Sequence, residues 1–174
     1  MRNPSTKEKI IKFMKWLGSR TRKKGNIYLT GGATAVLLGW REMTIDIDIK
    51  PEPEPDEIFQ AIAALKNELE VNIELASPGD FIPPLPGWKD RSVFIEQQGP
   101  LQFFHYDFYG QALSKIERGH DQDQKDVYEM LSRGLIDRET LLHFFEAIRP
   151  QLIRYPAIDA EEFEAKVREV IQRE

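Results

Sequence analysis

The stretch "YLTGGATAVLLGWREMTIDIDIK" (residues 28–50) contains the signals that decide the fold. A short apolar strand runs into Gly31 and Gly32, an apolar helix follows, and the next residues alternate strictly between apolar and polar. Such alternation is the period of a strand with one buried face. On this strand Asp46 and Asp48 project from one side. The opposite side, which we expect to face the core, carries Ile45, Ile47 and Ile49.

The rest of the chain predicts an α+β fold, with a small mixed β-sheet core flanked by helices and a C-terminal helical part. Residues 93–109 have the pattern of a β-hairpin around Gly99 and Pro100. From Gly110 onward the pattern is helical. We expect the core over residues 1–110 and the helical part over residues 111–174, packed together as a single compact domain.

The composition of the chain excludes cysteine chemistry and gives no signal for a membrane segment. There is no cysteine, so disulfides, thiolate metal sites and a thiol nucleophile are excluded. The sequence shows no signal-peptide pattern and no apolar run of ~20 residues, so we expect a cytoplasmic protein without membrane contact.

Charge is distributed unevenly along the chain. Residues 1–24 carry a balance of +8, whereas the whole chain carries −5, which leaves −13 for the remainder. An acidic body argues against non-specific coating of nucleic acid. The basic N-terminal helix could contact RNA or phosphate, but we favour a solvated outer face. The inward face would then carry Ile10, Ile11, Met14 and Leu17.

The aspartate pair predicts a metal site. Two carboxylates side by side on one strand face repel each other unless a cation lies between them. Mg²⁺ favours one or two carboxylates together with water and phosphate oxygens. The alternative is an exposed edge strand whose charges deter aggregation. Asp46 and Asp48 are therefore candidate metal ligands and catalytic residues.

The glycine pair predicts an anion site, because Thr30-Gly31-Gly32 would expose backbone N–H groups at a helix start with no side chain in the way. The alternative is a tight turn without a ligand. The sequence contains neither a P-loop nor a dinucleotide-binding fingerprint. An anion site next to a metal pair favours phosphoryl or nucleotidyl transfer. Arg41 and Thr44, which flank the acidic strand, could neutralise triphosphate charge.

Asp107 in "FFHYDFYG" is the candidate third carboxylate, because an otherwise apolar strand gives little other reason for an acid. By alternation it would share a face with His105 and could bind a second metal or accept a proton. The alternative is an aspartate that caps the following helix. His105 itself is expected to be a packed strand residue, since no second histidine or cysteine accompanies it at zinc-ligand spacing.

The stretch "GGATAVLLGWREMTIDIDI" resembles the signature of the DNA polymerase beta-like nucleotidyltransferase superfamily: two glycines, a spacer, an Asp-x-Asp and a later carboxylate. The stretch "ALSKIERGHDQDQKDVYEMLSRGLID" (residues 112–137) resembles a narrower group. Its members are minimal nucleotidyltransferase-like proteins related to abortive-infection type toxins of toxin–antitoxin systems. The resemblance covers residues 26–145.

The resemblance implies transfer of a nucleoside monophosphate from an NTP to a hydroxyl. Thr30, Gly31 and Gly32 would hold the triphosphate, and Asp46 and Asp48 would hold Mg²⁺ or Mn²⁺. Asp107 would complete the metal site and act as base. The motif residues of the helices would be Lys115, Arg118, Asp123 and Asp126, with Lys115 and Asp126 needed for activity. Independently of the resemblance, Lys115 and Arg118 lie three residues apart on one helix face and could meet phosphate oxygens.

Several alternatives stay open at this point. The motif pair could be Asp123 with Asp126 or Asp126 with Glu129, and Lys115 could form a structural ion pair with Asp107 or Asp126. The acceptor would be RNA, such as a tRNA end, or a protein hydroxyl, and an antitoxin would be a further partner. The competing functions are a non-catalytic protein that binds nucleotide or a partner, and a metal-dependent phosphohydrolase that uses the same acids with His105.

Overall fold

A computed structural model describes residues 3–54 and 56–173. Its strands are β1 (Ser5–Thr6), β2 (Gly25–Thr30), β3 (Met43–Thr44), β4 (Asp46–Glu52), β5 (Asn72–Leu75), β6 (Val93–Gln98) and β7 (Leu101–His105). Its α-helices are α1 (Lys7–Ser19), α2 (Gly32–Leu38), α3 (Asp56–Glu68), α4 (Trp88–Arg91), α5 (Phe108–Arg118), α6 (Asp121–Ser132), α7 (Arg138–Ile148) and α8 (Ala160–Gln172). Two 3-10 helices span Pro78–Asp80 and Arg149–Arg154. Within the described ranges, no helix combines the length and apolar character needed to cross a bilayer.

The chain forms two compact units. The sheet unit comprises the residues up to Ser77 together with Ser92–Tyr106. The helical unit comprises Pro78–Arg91 and the residues from Asp107 onward. The α+β fold class predicted from the sequence is confirmed.

The sheet unit contains a mixed five-stranded sheet in the order β5-β4-β2-β7-β6. β2 pairs antiparallel with β4 and parallel with β7, whereas β4 and β5 run parallel. β6 and β7 form the predicted antiparallel hairpin. The acidic strand β4 therefore lies between β2, which leads into the glycine pair, and β5.

The acidic strand is shorter at its start than the alternation predicts. β3 ends at Thr44, and the Thr44 hydroxyl donates a hydrogen bond of 3.1 Å to the backbone oxygen of Asp46. This local bond bridges Ile45, which therefore leaves the strand and is 71% exposed. The expectation that Ile45 faces the core is wrong, whereas Ile47 and Ile49 are fully buried as predicted.

Helix α1 covers the sheet with one apolar stripe, and its basic residues point outward. The buried positions follow helical spacing: Ile10, Phe13, Met14 and Leu17. Ile11 falls outside this stripe and is 42% exposed, so its predicted inward position is wrong. Lys7, Lys12 and Lys15 are exposed, as the predicted outer face requires.

Aspartates cap α5, α7 and α8 of the helical unit. Asp137 and Asp159 accept N-terminal backbone N–H bonds at the starts of α7 and α8, and Asp107 does so at the start of α5. The packed centre of this unit includes Phe145 and Phe163, whose rings meet edge to face at 5.0 Å. The predicted strand through Tyr109 is wrong, because β7 ends at His105 and the Asp107 cap starts a helix.

Candidate metal and nucleotide site

Three carboxylates meet on the face of the sheet formed by β4 and β5. Asp48 lies directly opposite Glu74, and Asp46 lies opposite Asn72. One oxygen from each of Asp46, Asp48 and Glu74 lies within 4.8 Å of the others. The two aspartates are half-buried and Glu74 is exposed. An all-oxygen donor set of this kind suits a hard divalent cation.

Asn72 orients this acidic group. Its side-chain amide donates one short hydrogen bond to Asp46 Oδ1 and another of 3.3 Å to Glu74 Oε1. Both acids thus present an oxygen to the same amide, which limits their rotation. Hydrogen bonds of this kind to metal-binding carboxylates fix their direction before a cation arrives.

The glycine turn lies against the acidic strand. Thr30 pairs with Asp48 across β2 and β4. Gly31 follows with φ of 63°, a left-handed conformation that favours glycine. A Cβ added to Gly31 would stand 3.2 Å from Asp48 Oδ2, so a carboxylate of the acidic group already reaches the backbone of the turn.

Gly32 permits a second close approach. A Cβ at this position would stand 2.0 Å from the Thr44 hydroxyl oxygen and 3.0 Å from Arg41 Nη1. Only a residue without a side chain lets both groups reach the start of α2. The structure therefore gathers the predicted residues of the sheet unit: Thr30, Gly31, Gly32, Arg41, Thr44, Asp46 and Asp48.

Asp107 has structural partners in the helical unit. Its carboxylate oxygens receive Arg91 Nη2 at 2.8 Å and Arg91 Nε at 3.2 Å, a bidentate ion pair. The same carboxylate caps α5 by accepting the backbone N–H groups of Tyr109 and Gly110. The Arg91 guanidinium in turn stacks on the Phe144 ring at 4.0 Å. Asp107 is 1% exposed, and these contacts match the helix-cap alternative.

Lys115 and Asp126 form a buried ion pair between α5 and α6. Lys115 Nζ lies 2.8 Å from Asp126 Oδ2 and 3.6 Å from Asp123 Oδ1. Arg118 donates to the same Asp123 oxygen at 2.8 Å. Glu129 pairs with Arg133 instead. The structure thus brings Asp123 and Asp126 together around Lys115, and the predicted Lys115–Asp126 ion pair is present.

The sequence profile of one protein family, described as a nucleotidyltransferase of unknown function (DUF6036), matches residues 8–173. The chain belongs to this family. The match extends beyond the resemblance over residues 26–145 and includes almost all of α1 and the whole of α8. No curated protein and no solved structure matches the chain.

In this member of the family, His105 is a packed residue of the sheet unit, as predicted. Its Nδ1 lies 3.0 Å from the Thr34 hydroxyl, and its side chain is buried. Burial lowers the pKa of His105 to about 4. The imidazole is therefore neutral near pH 7 and is a poor general acid there.

Sequence reasoning missed Glu74 and Asn72. The signal was present in "VNIELA", where alternation places both side chains on the polar face of a short strand. The alternation does not reveal that β5 pairs in parallel with β4 in the register that places Glu74 beside Asp48. Arg91, the partner of Asp107, lies in a proline-rich segment whose pattern gives no such signal.

Proposed function

We propose that this nucleotidyltransferase moves a nucleoside monophosphate from an NTP to a hydroxyl, with Asp46, Asp48 and Glu74 holding a divalent cation. The observation that carries the proposal is the meeting of three carboxylates within 4.8 Å, with Asp48 against the glycine turn. Carboxylates this close repel one another in the absence of a cation. A polyphosphate at the turn would add its own oxygens to the same cation.

The donor set fits Mg²⁺ or Mn²⁺, because all three ligands are carboxylate oxygens and Asn72 orients two of them. When bound, the cation supplies charge neutralisation on the phosphate oxygens and on the leaving pyrophosphate. Glu74 takes the place that the sequence suggested for Asp107, since Asp107 already holds Arg91 and the start of α5.

The glycine turn and the acidic group have separate roles in the proposed reaction. Gly31 and Gly32 leave the backbone open to the triphosphate, and Arg41 with Thr44 borders the same place. The acceptor oxygen forms a bond to the α-phosphorus, and the bond from that phosphorus to the bridging oxygen breaks, which releases pyrophosphate. Glu74, the exposed acid of the three, accepts the proton of the acceptor hydroxyl.

The acceptor that we propose is an RNA end, such as that of tRNA, or a protein hydroxyl. Support comes from the motif Lys115, Arg118, Asp123 and Asp126, which resembles the toxin-related group and forms one connected ion-pair network. The same resemblance supports a toxin–antitoxin role with an antitoxin partner. Binding of NTP without turnover and phosphohydrolysis are the competing functions. The neutral, buried His105 disfavours the second.

The test supplies purified protein with Mg²⁺, each of the four α-labelled NTPs, and either total tRNA or casein as acceptor. We expect label on one acceptor together with one pyrophosphate released per label. Asp46→Asn should abolish both, and Lys50→Gln, a change at a neighbouring strand residue outside the acidic group, should leave both. Release of inorganic phosphate without labelled acceptor would indicate a phosphohydrolase instead. Nucleotide binding without either product would indicate a non-catalytic member.

A further inference from the structure

A groove in the helical unit has the chemistry of a second ligand site. Its volume is about 250 Å³, and it lies between α6 and α8 above the end of α5. Four α6 residues line it at helical spacing (124, 127, 128 and 131), and three α8 residues (166, 169 and 170) do the same together with Arg173, which follows the end of α8. Two helix faces thus border one opening, whose volume is slightly below the range of about 300–1,000 Å³ that is usual for small-molecule sites.

The groove has an apolar floor. The floor is formed by Ile116, Val127, Leu131 and Val170. At its edge stands Tyr128, whose side chain is 65% exposed. Among the residues that the structure describes, none forms a hydrogen bond, ion pair or ring contact with the Tyr128 side chain. A large ring held in solvent beside an apolar floor is suited to stacking on a flat ligand.

The residues that line the groove include more cationic than acidic side chains, although the chain as a whole is acidic. The charged lining residues are Lys115, Arg138, Lys166 and Arg173 against Glu169 alone, in a chain whose net charge is −5. Lys115 is neutralised by Asp126, Arg173 pairs with Glu169, and Lys166 lies 3.5 Å from a carboxylate oxygen of Glu162. Arg138 is exposed, and no other described side chain or backbone group forms a hydrogen bond or ion pair with its guanidinium. This guanidinium is therefore available for an anionic group.

We propose that this groove binds a nucleoside phosphate, with the base between the apolar floor and Tyr128 and the phosphate on Arg138. A nucleoside phosphate combines a flat base with an anionic group. The base suits the apolar floor and the Tyr128 ring, and the phosphate suits the Arg138 guanidinium. Lys166 lines the same opening, and its ammonium is held there by the Glu117 backbone oxygen at 2.9 Å and by the Glu162 carboxylate at 3.5 Å, so Arg138 is the main anion contact. The site is separate from the acidic group of the sheet unit and needs no divalent cation.

Calorimetric titration with AMP, adenosine and a five-nucleotide single-stranded RNA, all in EDTA, tests the proposal. The same titrations are run on Asp48→Asn, which removes a ligand of the acidic site. We expect binding of AMP or the RNA in both proteins and markedly weaker binding of adenosine. Binding of AMP indicates a mononucleotide as the source of the ligand, and binding of the RNA alone indicates the end of an acceptor.

Single substitutions then locate the site. Tyr128→Ala and Arg138→Ala should each weaken binding about tenfold, since stacking on one ring and one charged contact each carry that order of affinity. Tyr128→Phe should retain binding, and Lys125→Ala, an exposed charge on the same helix outside the groove, should leave it unchanged. Thermal unfolding confirms that each variant is folded. No binding at millimolar ligand, or binding that both alanine variants retain, would overturn the proposal.

Discussion

At the scale of single residues, the site depends on the absence of a side chain at two glycines. Gly31 lets Asp48 approach the turn, and Gly32 lets Thr44 and Arg41 approach the start of α2. The sequence indicated the glycine turn and the acidic pair because both are local patterns. Glu74 needed the strand order, which is a property of distant pairings and not of local alternation.

Gly32→Ala should destabilise the protein by about 1–3 kcal/mol, the usual cost of overpacking. The added Cβ would lie 2.0 Å from the Thr44 oxygen and 2.6 Å from its Cβ, so Thr44 must shift. Urea unfolding measures the change. Gly25→Ala is the matched control, because its nearest atom would be 3.6 Å away, and it should change the free energy of unfolding by less than about 1 kcal/mol. Equal effects of the two substitutions would contradict the proposed close approach.

The buried His105 should make the free energy of unfolding depend on pH. Its pKa in the folded protein is about 4, whereas an unfolded histidine has a pKa near 6.5, so the unfolded chain binds more protons between these values. Stability from this group is complete above pH 6.5 and is lost as pH falls toward 4, by at most about 3 kcal/mol. Urea midpoints of the wild type and of His105→Asn between pH 7 and pH 4.5 measure it. The variant should lose less stability over this range, and equal losses would show that His105 is not buried in its neutral form.

At the scale of elements, Asp107 both caps the N-terminus of α5 and forms an ion pair with Arg91. It starts α5 and holds Arg91, which in turn stacks on Phe144 of α7. The sequence placed this aspartate on a strand because the preceding residues are β-rich. The helix-cap alternative was visible at the same position. The aromatic run alone could not decide where the strand ends, since the deciding bonds come from the aspartate side chain to Tyr109 and Gly110.

Asp107→Asn and Glu74→Gln should have different consequences. Asp107→Asn keeps an oxygen for the cap but loses the charge opposite Arg91, so we expect a loss of about 1–3 kcal/mol of stability. Glu74→Gln should leave stability within about 0.5 kcal/mol, because the side chain is exposed, and should weaken Mg²⁺ binding at least about tenfold. Urea unfolding and magnesium calorimetry on both variants check this. A normal Mg²⁺ affinity in Glu74→Gln with a lost affinity in folded Asp107→Asn would restore Asp107 as the third ligand.

The Lys115–Asp126 pair permits a double-mutant cycle. Removing either partner leaves a buried charge, so Lys115→Met and Asp126→Leu alone should each cost about 3–5 kcal/mol, and together they should cost much less than the sum. Urea unfolding of the four proteins measures the coupling. Transferase activity of the stable double variant then separates the roles. Retained activity means that the pair is structural, and lost activity in a folded protein supports the catalytic role that the toxin resemblance implies.

At the scale of the whole molecule, the mixed sheet and the helical unit were predictable because strands and helices have different apolar periods. The family match over residues 8–173 includes almost all of α1 and the whole of α8, which the motif resemblance left unassigned. What the sequence could not supply were side-chain pairings over long separations, such as Asn72 with Asp46 and Arg91 with Asp107. These pairings decide which acids are open to a cation.

The most direct test of the central claim is the transfer of α-labelled nucleotide to an acceptor by the wild type and by Asp48→Asn, measured with Mg²⁺ present. We expect labelled acceptor and pyrophosphate in equal amounts from the wild type. From the folded variant we expect a loss of at least about a hundredfold, since the missing carboxylate is one of the three proposed to hold the cation. Undiminished transfer by Asp48→Asn would contradict the assignment of the site to these carboxylates.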